Sequence, residues 1–185
     1  MNPFEGVSFE EIPDNLNLIE QEMVFTSQEK KELEKRNLFS LKPKNQKLPT
    51  LTKLFGYLLG DGSIYFSGKK GFIHAYGPEE DLKEIQHNFK KLGFSARIYG
   101  RERNHKIIDQ YGEKEFKANN YELHVSSNTL AKLFVSLGYP LGNKTNQEYL
   151  VPKWVMKSPL WMKRLFLSGL FGAELSSPRT HTKTG

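Results

Sequence analysis

The chain has no cysteine among its 185 residues. This absence excludes disulfide bonds, a nucleophilic thiol and zinc sites built on thiolates. No apolar run approaches the about 20 residues of a membrane-spanning helix, and the first residues lack the basic-then-apolar order of a signal peptide. The five histidines lie too far apart in the sequence to indicate a pair of metal ligands. We therefore expect a soluble, intracellular protein, cytoplasmic or associated with the nucleoid, that binds no membrane.

Charge is plentiful but unevenly divided along the chain. The 27 Lys and Arg residues exceed the 21 Asp and Glu residues, which gives a net charge of +6. Residues 1–50 carry 7 basic and 9 acidic side chains, so residues 51–185 hold 20 and 12. A positive surface attracts polyanions such as nucleic acids. The larger, basic part of the chain is thus the part predicted to bind one.

Two apolar segments, 54–62 and 167–175, each carry an acidic residue near their end. Residues four apart share one face of a helix, so small residues at that spacing form a strip on which another backbone can pack closely. Packing of the two strips brings Asp61 and Glu174 together. A carboxylate at a helix C-terminus is unfavourable without a nearby cation, so the pair indicates a divalent metal site. The small residues of the predicted helix interface are Gly56, Gly60, Ser168, Gly169, Gly172 and Ala173.

The two segments resemble the paired motifs of the LAGLIDADG homing endonucleases, in the form that has two motifs in one chain. The resemblance covers residues 51–175. It implies an α+β fold in which each half has the order αββαββα with an antiparallel sheet, and the motif helices form the interface between the halves. It also implies that Asp61 and Glu174 bind Mg²⁺ or Mn²⁺ and are catalytic. Two departures are Glu174, where Asp is commoner, and Leu175, where Gly is usual.

The pattern between the motifs fits that order of elements. It predicts strands at 63–66 and 72–76, a helix that ends before Gly93, strands at 94–103 and 117–126, and a helix at 127–137. Residues 104–116 are predicted to form a long polar loop between the second pair of strands.

The strand from residue 94 alternates between an apolar face and a face rich in arginine. Arginine suits both phosphate contacts and guanine edges in a major groove, so this face is predicted to bind double-stranded DNA. A sheet face that is charged only for solubility is the alternative. The predicted DNA-binding residues are Arg97, Tyr99, Arg101 and Arg103 on this strand, His124 on its partner, and Lys69 and Lys70 in the first hairpin.

Lys144 lies in a Gly-x-Lys segment that is followed by Pro152. This segment resembles one in two-motif endonucleases whose lysine reaches the centre of the active site. The resemblance implies a catalytic role, in which the ammonium stabilises negative charge on the phosphate. Without the resemblance, an ordinary surface lysine is the simpler interpretation.

The predicted organisation has three parts. Residues 1–49 form an N-terminal helical appendage and linker, with a capping box at Thr26. Residues 50–157 form the first LAGLIDADG half-domain. Residues 158–185 hold the second motif helix and the start of an incomplete second half. If the chain is a fragment, it exposes the surface that the missing half would cover, and we expect self-association there.

The predicted function is site-specific cleavage of double-stranded DNA in intron homing, with hydrolysis of phosphodiester bonds. No splicing domain of an intein is evident in the sequence. The alternative is a LAGLIDADG-derived module that binds nucleic acid without cutting it, such as an RNA maturase or a transcription regulator. A degenerate remnant of a mobile genetic element is a third alternative.

Overall fold

The computed structural model describes residues 16–39, 41, 45–109, 112–142, 144–146 and 148–174, with the side chains of 101–109, 113–118, 145, 173 and 174 excepted. Six helices and four strands lie in this part of the chain. In order they are α1 (Ser27–Lys35), α2 (Leu48–Asp61), β1 (Gly62–Ser67), β2 (Lys70–Gly77), α3 (Glu79–Leu92), β3 (Arg97–Asp109), β4 (Gly112–Ser126), α4 (Asn128–Ser136), α5 (Lys153–Lys157) and α6 (Leu160–Glu174).

The fold is α+β with one antiparallel sheet, as predicted. The strands are ordered β1-β2-β4-β3, and every neighbouring pair is antiparallel. From α2 to α4 the elements follow the predicted order of helix, two strands, helix, two strands and helix. No helix in the described residues is both long and apolar enough to cross a bilayer.

The core fills the space between the helices and one face of the sheet. Phe55 of α2 is fully buried at its centre. Its ring centroid lies 6.2 Å from that of Phe134, 6.3 Å from Tyr139, 5.5 Å from Trp154 and 6.3 Å from Phe166. One aromatic cluster therefore joins α2 to α4, α5 and α6, and aromatic pairs of this kind add to the stability that burial gives.

The helix that opens the described chain packs on the main body. Its predicted capping box is present: Thr26 accepts from the Glu29 amide at 3.3 Å, and the Glu29 carboxylate accepts from the Thr26 amide at 2.7 Å. The same carboxylate accepts from Lys132 of α4 at 2.9 Å. At the other end of α1, Arg36 donates to the Gly93 carbonyl oxygen at 2.9 Å. These contacts tie α1 to two elements of the half-domain.

Helix α2 begins at Leu48, two residues before the predicted start of the first half-domain at residue 50. Pro49 lies in its first turn, where proline is tolerated because the missing amide would have no partner within the helix. The linker is therefore shorter than the sequence pattern indicated.

The prediction of a long polar loop at 104–116 was wrong. Strands β3 and β4 pair without interruption from Arg97 opposite His124 to Asp109 opposite Gly112. Only residues 110 and 111 lie between the strands. Backbone pairing does not require apolar side chains, so a polar ribbon forms where hydrophobic alternation stops. Residues 112–120 of β4 have no partner on β2, so this part of β3 and β4 forms a ribbon of two strands.

Candidate functional site

Helices α2 and α6 touch backbone to backbone at two glycines. A Cβ atom added to Gly56 would clash with the carbonyl oxygen of Phe166, and one added to Gly169 would clash with the carbonyl oxygen of Lys53. Both glycines are buried. A side chain at either position would force the helices apart, so these two residues set the distance between them.

Ser168 and Gly172 of α6 lie away from this contact. A Cβ atom added to Gly172 would meet no described atom within 4 Å. Ser168 is exposed, and its hydroxyl donates to the Leu165 carbonyl oxygen at 2.9 Å. Gly60 is half-buried in the last turn of α2, and the side chain of Ala173 lies outside the described residues. The strip predicted through Ser168 and Gly172 is therefore not where the backbones meet.

Each motif helix ends on its predicted acid. Asp61 is the last residue of α2 and is half-buried, and Glu174 is the last residue of α6, with a side chain outside the described part. Each acid follows its contact glycine by five residues. At 1.5 Å of rise per residue, both acids stand about 7.5 Å along their helix from the crossing.

Two side chains hold the C-terminus of α2. Lys144 donates to the carbonyl oxygens of Leu58 at 3.3 Å and Leu59 at 2.8 Å, and it also contacts that of Gly60. The buried hydroxyl of Tyr139 donates to the Leu58 carbonyl oxygen at 3.1 Å. The last carbonyls of a helix have no partner within it and carry its negative dipole. An ammonium is therefore favourable there, beside the residue that precedes Asp61.

Tyr57 lies on the same helix and is held neutral. Burial raises the pKa of its phenol well above the ordinary value, and the negative charges of Asp61 and Asp81 raise it further. Its hydroxyl donates to the Tyr76 carbonyl oxygen at 2.7 Å. The phenol thus fixes α2 against β2 and does not supply a proton at neutral pH.

The outer face of the sheet carries the predicted DNA-binding residues that the structure describes. Arg97 and Tyr99 of β3 are exposed, and Ile98 between them packs against the core, so the predicted alternation is confirmed there. Lys69 and Lys70 are exposed at the β1–β2 turn. The backbones of Arg101 and Arg103 continue β3, but their side chains lie outside the described residues.

A cluster that the sequence interpretation missed lies at the centre of this face. The ring of His124 stacks on the ring of His74, with 4.0 Å between centroids and 11° between planes. The Oε1 atom of Glu122 lies 2.6 Å from His74 Nδ1 and 2.9 Å from His124 Nε2. The spacing of the histidines in the sequence, which indicated no pair of ligands, therefore did not reveal that two of them lie side by side in the fold. The two rings are 50 positions apart in the sequence and meet because β2 and β4 pair with His74 opposite His124.

Electrostatics within this cluster favour the neutral form of His74 and the ionised form of Glu122. Burial lowers the pKa of His74, and the neighbouring His124 lowers it further. Burial alone would raise the pKa of Glu122, but the two imidazoles outweigh it, so the pKa lies below its ordinary value.

No protein-family model matches the chain. It is similar to parts of larger archaeal proteins. It is 40% identical over 175 residues to the tRNA-splicing ligase RtcB of Pyrococcus furiosus, a match of 93% of this chain and 18% of that protein. It is 35% identical over 150 residues to the DNA-directed RNA polymerase subunit Rpo1N of Methanocaldococcus jannaschii, covering 80% and 11%. It is 30% identical over 135 residues to the replication factor C small subunit of the same organism, covering 72% and 7%. The chain thus spans less than a fifth of each of these relatives.

Among solved structures, the chain is similar to the homing endonuclease I-WcaI bound to its DNA recognition sequence. The TM-score is 0.45 and the sequence identity 16%, over 81% of this chain and 66% of that one.

Proposed function

We propose that the chain is a metal-dependent, site-specific endonuclease module that cleaves double-stranded DNA and is carried within larger proteins. The observation that carries this proposal is the contact of α2 and α6 at Gly56 and Gly169, from which each helix continues for the same length to a terminal acid. A pair of helices held this closely by two glycines, each ending on a carboxylate, fits the LAGLIDADG motif interface.

Asp61 and Glu174 would hold Mg²⁺ or Mn²⁺, because a site of carboxylate oxygens with few protein ligands suits these hard cations. The location supports this assignment, since a carboxylate at a helix C-terminus is unfavourable without a nearby cation. When bound, such a metal lowers the pKa of coordinated water and offsets charge on the scissile phosphate.

Lys144 supports the same chemistry from the protein side. Its ammonium lies at the C-terminal turn of α2, and its contacts with three backbone carbonyls hold it in place. A fixed positive charge beside Asp61 stabilises negative charge that develops on a phosphate in the transition state. Lys144 could act in this way from the position that it occupies in the structure, without a change of conformation.

The outer sheet face provides the surface that DNA would cover. Arg97 and Tyr99 are exposed on β3, and Lys69 and Lys70 extend the same face at the β1–β2 turn. Arg101 and Arg103 follow Tyr99 at the same spacing of two residues along β3. A two-stranded antiparallel ribbon fits a major groove, so β3 and β4 are proposed to read the duplex.

The relatives support a module that is separable from its surroundings. The same segment recurs in proteins with three different names, and in each it covers a small share of the length. A segment shared by a ligase, a polymerase subunit and a replication factor does not belong to an activity peculiar to any one of them. We infer that it was inserted into these proteins as a mobile element, which favours an intein-type location over a free-standing intron enzyme.

Self-association is proposed at the outer face of α6. Leu160, Leu167 and Phe171 are 50%, 39% and 48% exposed there. Sedimentation of the full chain at several concentrations would measure whether this surface joins two copies.

The test is Mg²⁺-dependent cleavage of a plasmid library with randomised inserts. We expect a recurrent cut site with the native chain and none with Asp61→Asn. Asp81→Asn, which removes the same charge from an exposed residue of α3, should cut like the native chain. Binding of the duplex without cutting by any of the three proteins would overturn the endonuclease and favour a binding module.

A further inference from the structure

The outer face of the sheet contains a group of metal-ligating side chains that is separate from the two helix ends. His74 is on β2, and Glu122 and His124 are on β4. The candidate ligand atoms of all three lie within 4.8 Å of one another. Their side chains are 12%, 19% and 32% exposed, so the group is sheltered but reachable from solvent. From this geometry we propose that His74, Glu122 and His124 bind a divalent transition metal such as Zn²⁺, Co²⁺ or Ni²⁺.

The donor atoms are already close to the spacing that such an ion needs. Bonds of about 2.0–2.1 Å in a tetrahedral site separate neighbouring ligand atoms by about 3.3 Å. The Glu122 Oε1 atom lies 2.6 Å from His74 Nδ1 and 2.9 Å from His124 Nε2. Small side-chain rotations would therefore admit the ion, and the strands would not need to separate.

The donor set selects the type of metal. Two imidazoles and one carboxylate suit zinc and its neighbours, whereas Mg²⁺ and Ca²⁺ prefer oxygen alone. Three protein ligands leave a position for water or for a group on a bound molecule. The site therefore differs in chemistry from the carboxylates at Asp61 and Glu174.

The surroundings of the cluster fit ligation in two ways. The Tyr65 hydroxyl lies 3.2 Å from His74 Nε2, the ring nitrogen that points away from Glu122. A partner on the second nitrogen is what orients a metal-binding histidine. In addition, His124 Nε2 is buried and makes no hydrogen bond of ordinary geometry, although Glu122 is near. A metal ion would give this buried ring nitrogen a partner to which it can donate its lone pair.

An ion bound here would have two consequences for the sheet. It would link the middle strands β2 and β4 through side chains as well as through backbone hydrogen bonds. It would also place positive charge between Tyr65, Tyr76 and Tyr99, whose rings surround the histidines. The outer face would become both stiffer and more attractive to a polyanion.

The experiment is a Co²⁺ titration of the full chain without DNA, followed by visible absorption, with Mg²⁺ in large excess to occupy oxygen-only sites. We expect one equivalent to bind with an intense ligand-field band and to be displaced by Zn²⁺. His74→Gln and His124→Gln should each weaken binding by more than about tenfold, because loss of even an outer partner of a ligand costs about 10–100-fold. His87→Gln, a change at an exposed histidine of α3, should bind like the native chain.

A second measurement needs no variant. In a nuclear magnetic resonance spectrum of the native chain, Zn²⁺ should shift the ring signals of His74 and His124 together. The ring signal of His87 should stay in place. Absence of saturable binding, or equal binding by the native chain and both cluster variants, would overturn the site. Because neither measurement involves DNA or Asp61, such a result leaves the proposed cleavage untouched, and loss of cleavage in Asp61→Asn says nothing about this cluster.

Discussion

Lys144 and Tyr139 donate to the same carbonyl oxygen, that of Leu58, at 3.3 Å and 3.1 Å. The tyrosine hydroxyl also donates to the Gly62 carbonyl oxygen at 2.9 Å, on the first residue of β1. Asp61 stands between these two acceptors in the sequence. The turn that presents the acid is therefore fixed from two sides by residues that come 78 and 83 positions later.

Replacing Lys144 with Met removes the ammonium from the end of α2. We expect the free energy of unfolding to fall by about 1–3 kcal/mol, because hydrogen bonds from a charged donor are lost. On the proposed function, cleavage should fall by more than the unfolded fraction explains. Urea denaturation and single-turnover cleavage measure the two effects. Lys157→Met, at an exposed position of α5, is the matched control, and equal behaviour of both variants would contradict the role of Lys144.

Replacing Gly56 with Ala places a methyl group against the Phe166 carbonyl oxygen. We expect a loss of about 1–3 kcal/mol in the free energy of unfolding, or more, because neither backbone can yield without moving a helix. Gly172→Ala makes the same change in open space on α6 and should be neutral or stabilise by up to about 1 kcal/mol. Denaturation midpoints of the two variants measure these effects. Similar midpoints would contradict a close contact of the two helices at Gly56.

Replacing Glu29 with Gln tests how α1 is attached. Burial alone would raise the pKa of Glu29, but bonds from Lys132, the Thr26 amide and Asn128 outweigh it, so the pKa lies below its ordinary value. The group therefore stabilises the protein above the unfolded pKa, and this contribution is lost as pH falls through the folded pKa. Glu29→Gln should cost about 1–2 kcal/mol at neutral pH and flatten the decline in stability on acidification.

The matched control for this change is Glu34→Gln, an exposed acid on the same helix. Thermal melting of the native chain and both variants, from neutral pH down to about pH 3, gives the comparison. Parallel pH profiles for the native chain and Glu29→Gln would show that the carboxylate does not attach α1.

Replacing Arg97 with Ala removes an exposed cation from β3. On the proposed function, duplex binding should weaken, and the slope of affinity against salt concentration, both as logarithms, should fall by about one. Fluorescence anisotropy with a labelled duplex at several salt concentrations measures both. Lys90→Ala, at an exposed position on α3 away from this face, should change neither, and an equal slope for all three proteins would contradict the proposed interface.

Features set by short stretches of sequence could be predicted. The capping box at Thr26 and the end of α3 at Gly93 depend on contacts between residues that are close in the sequence. Both features are present. Gly93 has a φ of 94°, a conformation that glycine adopts readily at a helix end. The predicted alternation also held over the described side chains at the start of β3, because a buried face imposes a period of two.

Features set by contacts between distant residues could not be predicted in detail. The sequence pattern assigned six small residues to a strip without showing which of them meet the other helix; in the structure Gly56 and Gly169 meet its backbone and Gly172 does not. The histidine pair depends on the register between β2 and β4. The residues next to either histidine in the sequence do not reveal this register. The polar part of β3 and β4 was missed because its pairing uses backbone groups, which every residue has.

The β3–β4 ribbon limits how the length of a recognised site could change. A strand of 13 residues extends for about 44 Å, somewhat more than the about 34–36 Å of one duplex turn. Insertion of one residue into each strand would turn every following side chain to the opposite face. Insertion of two would keep the faces and add about 7 Å, close to two base-pair steps. On the proposed function, the span of DNA that the ribbon contacts could therefore grow or shrink only in steps of two residues per strand, because side chains alternate between the two faces.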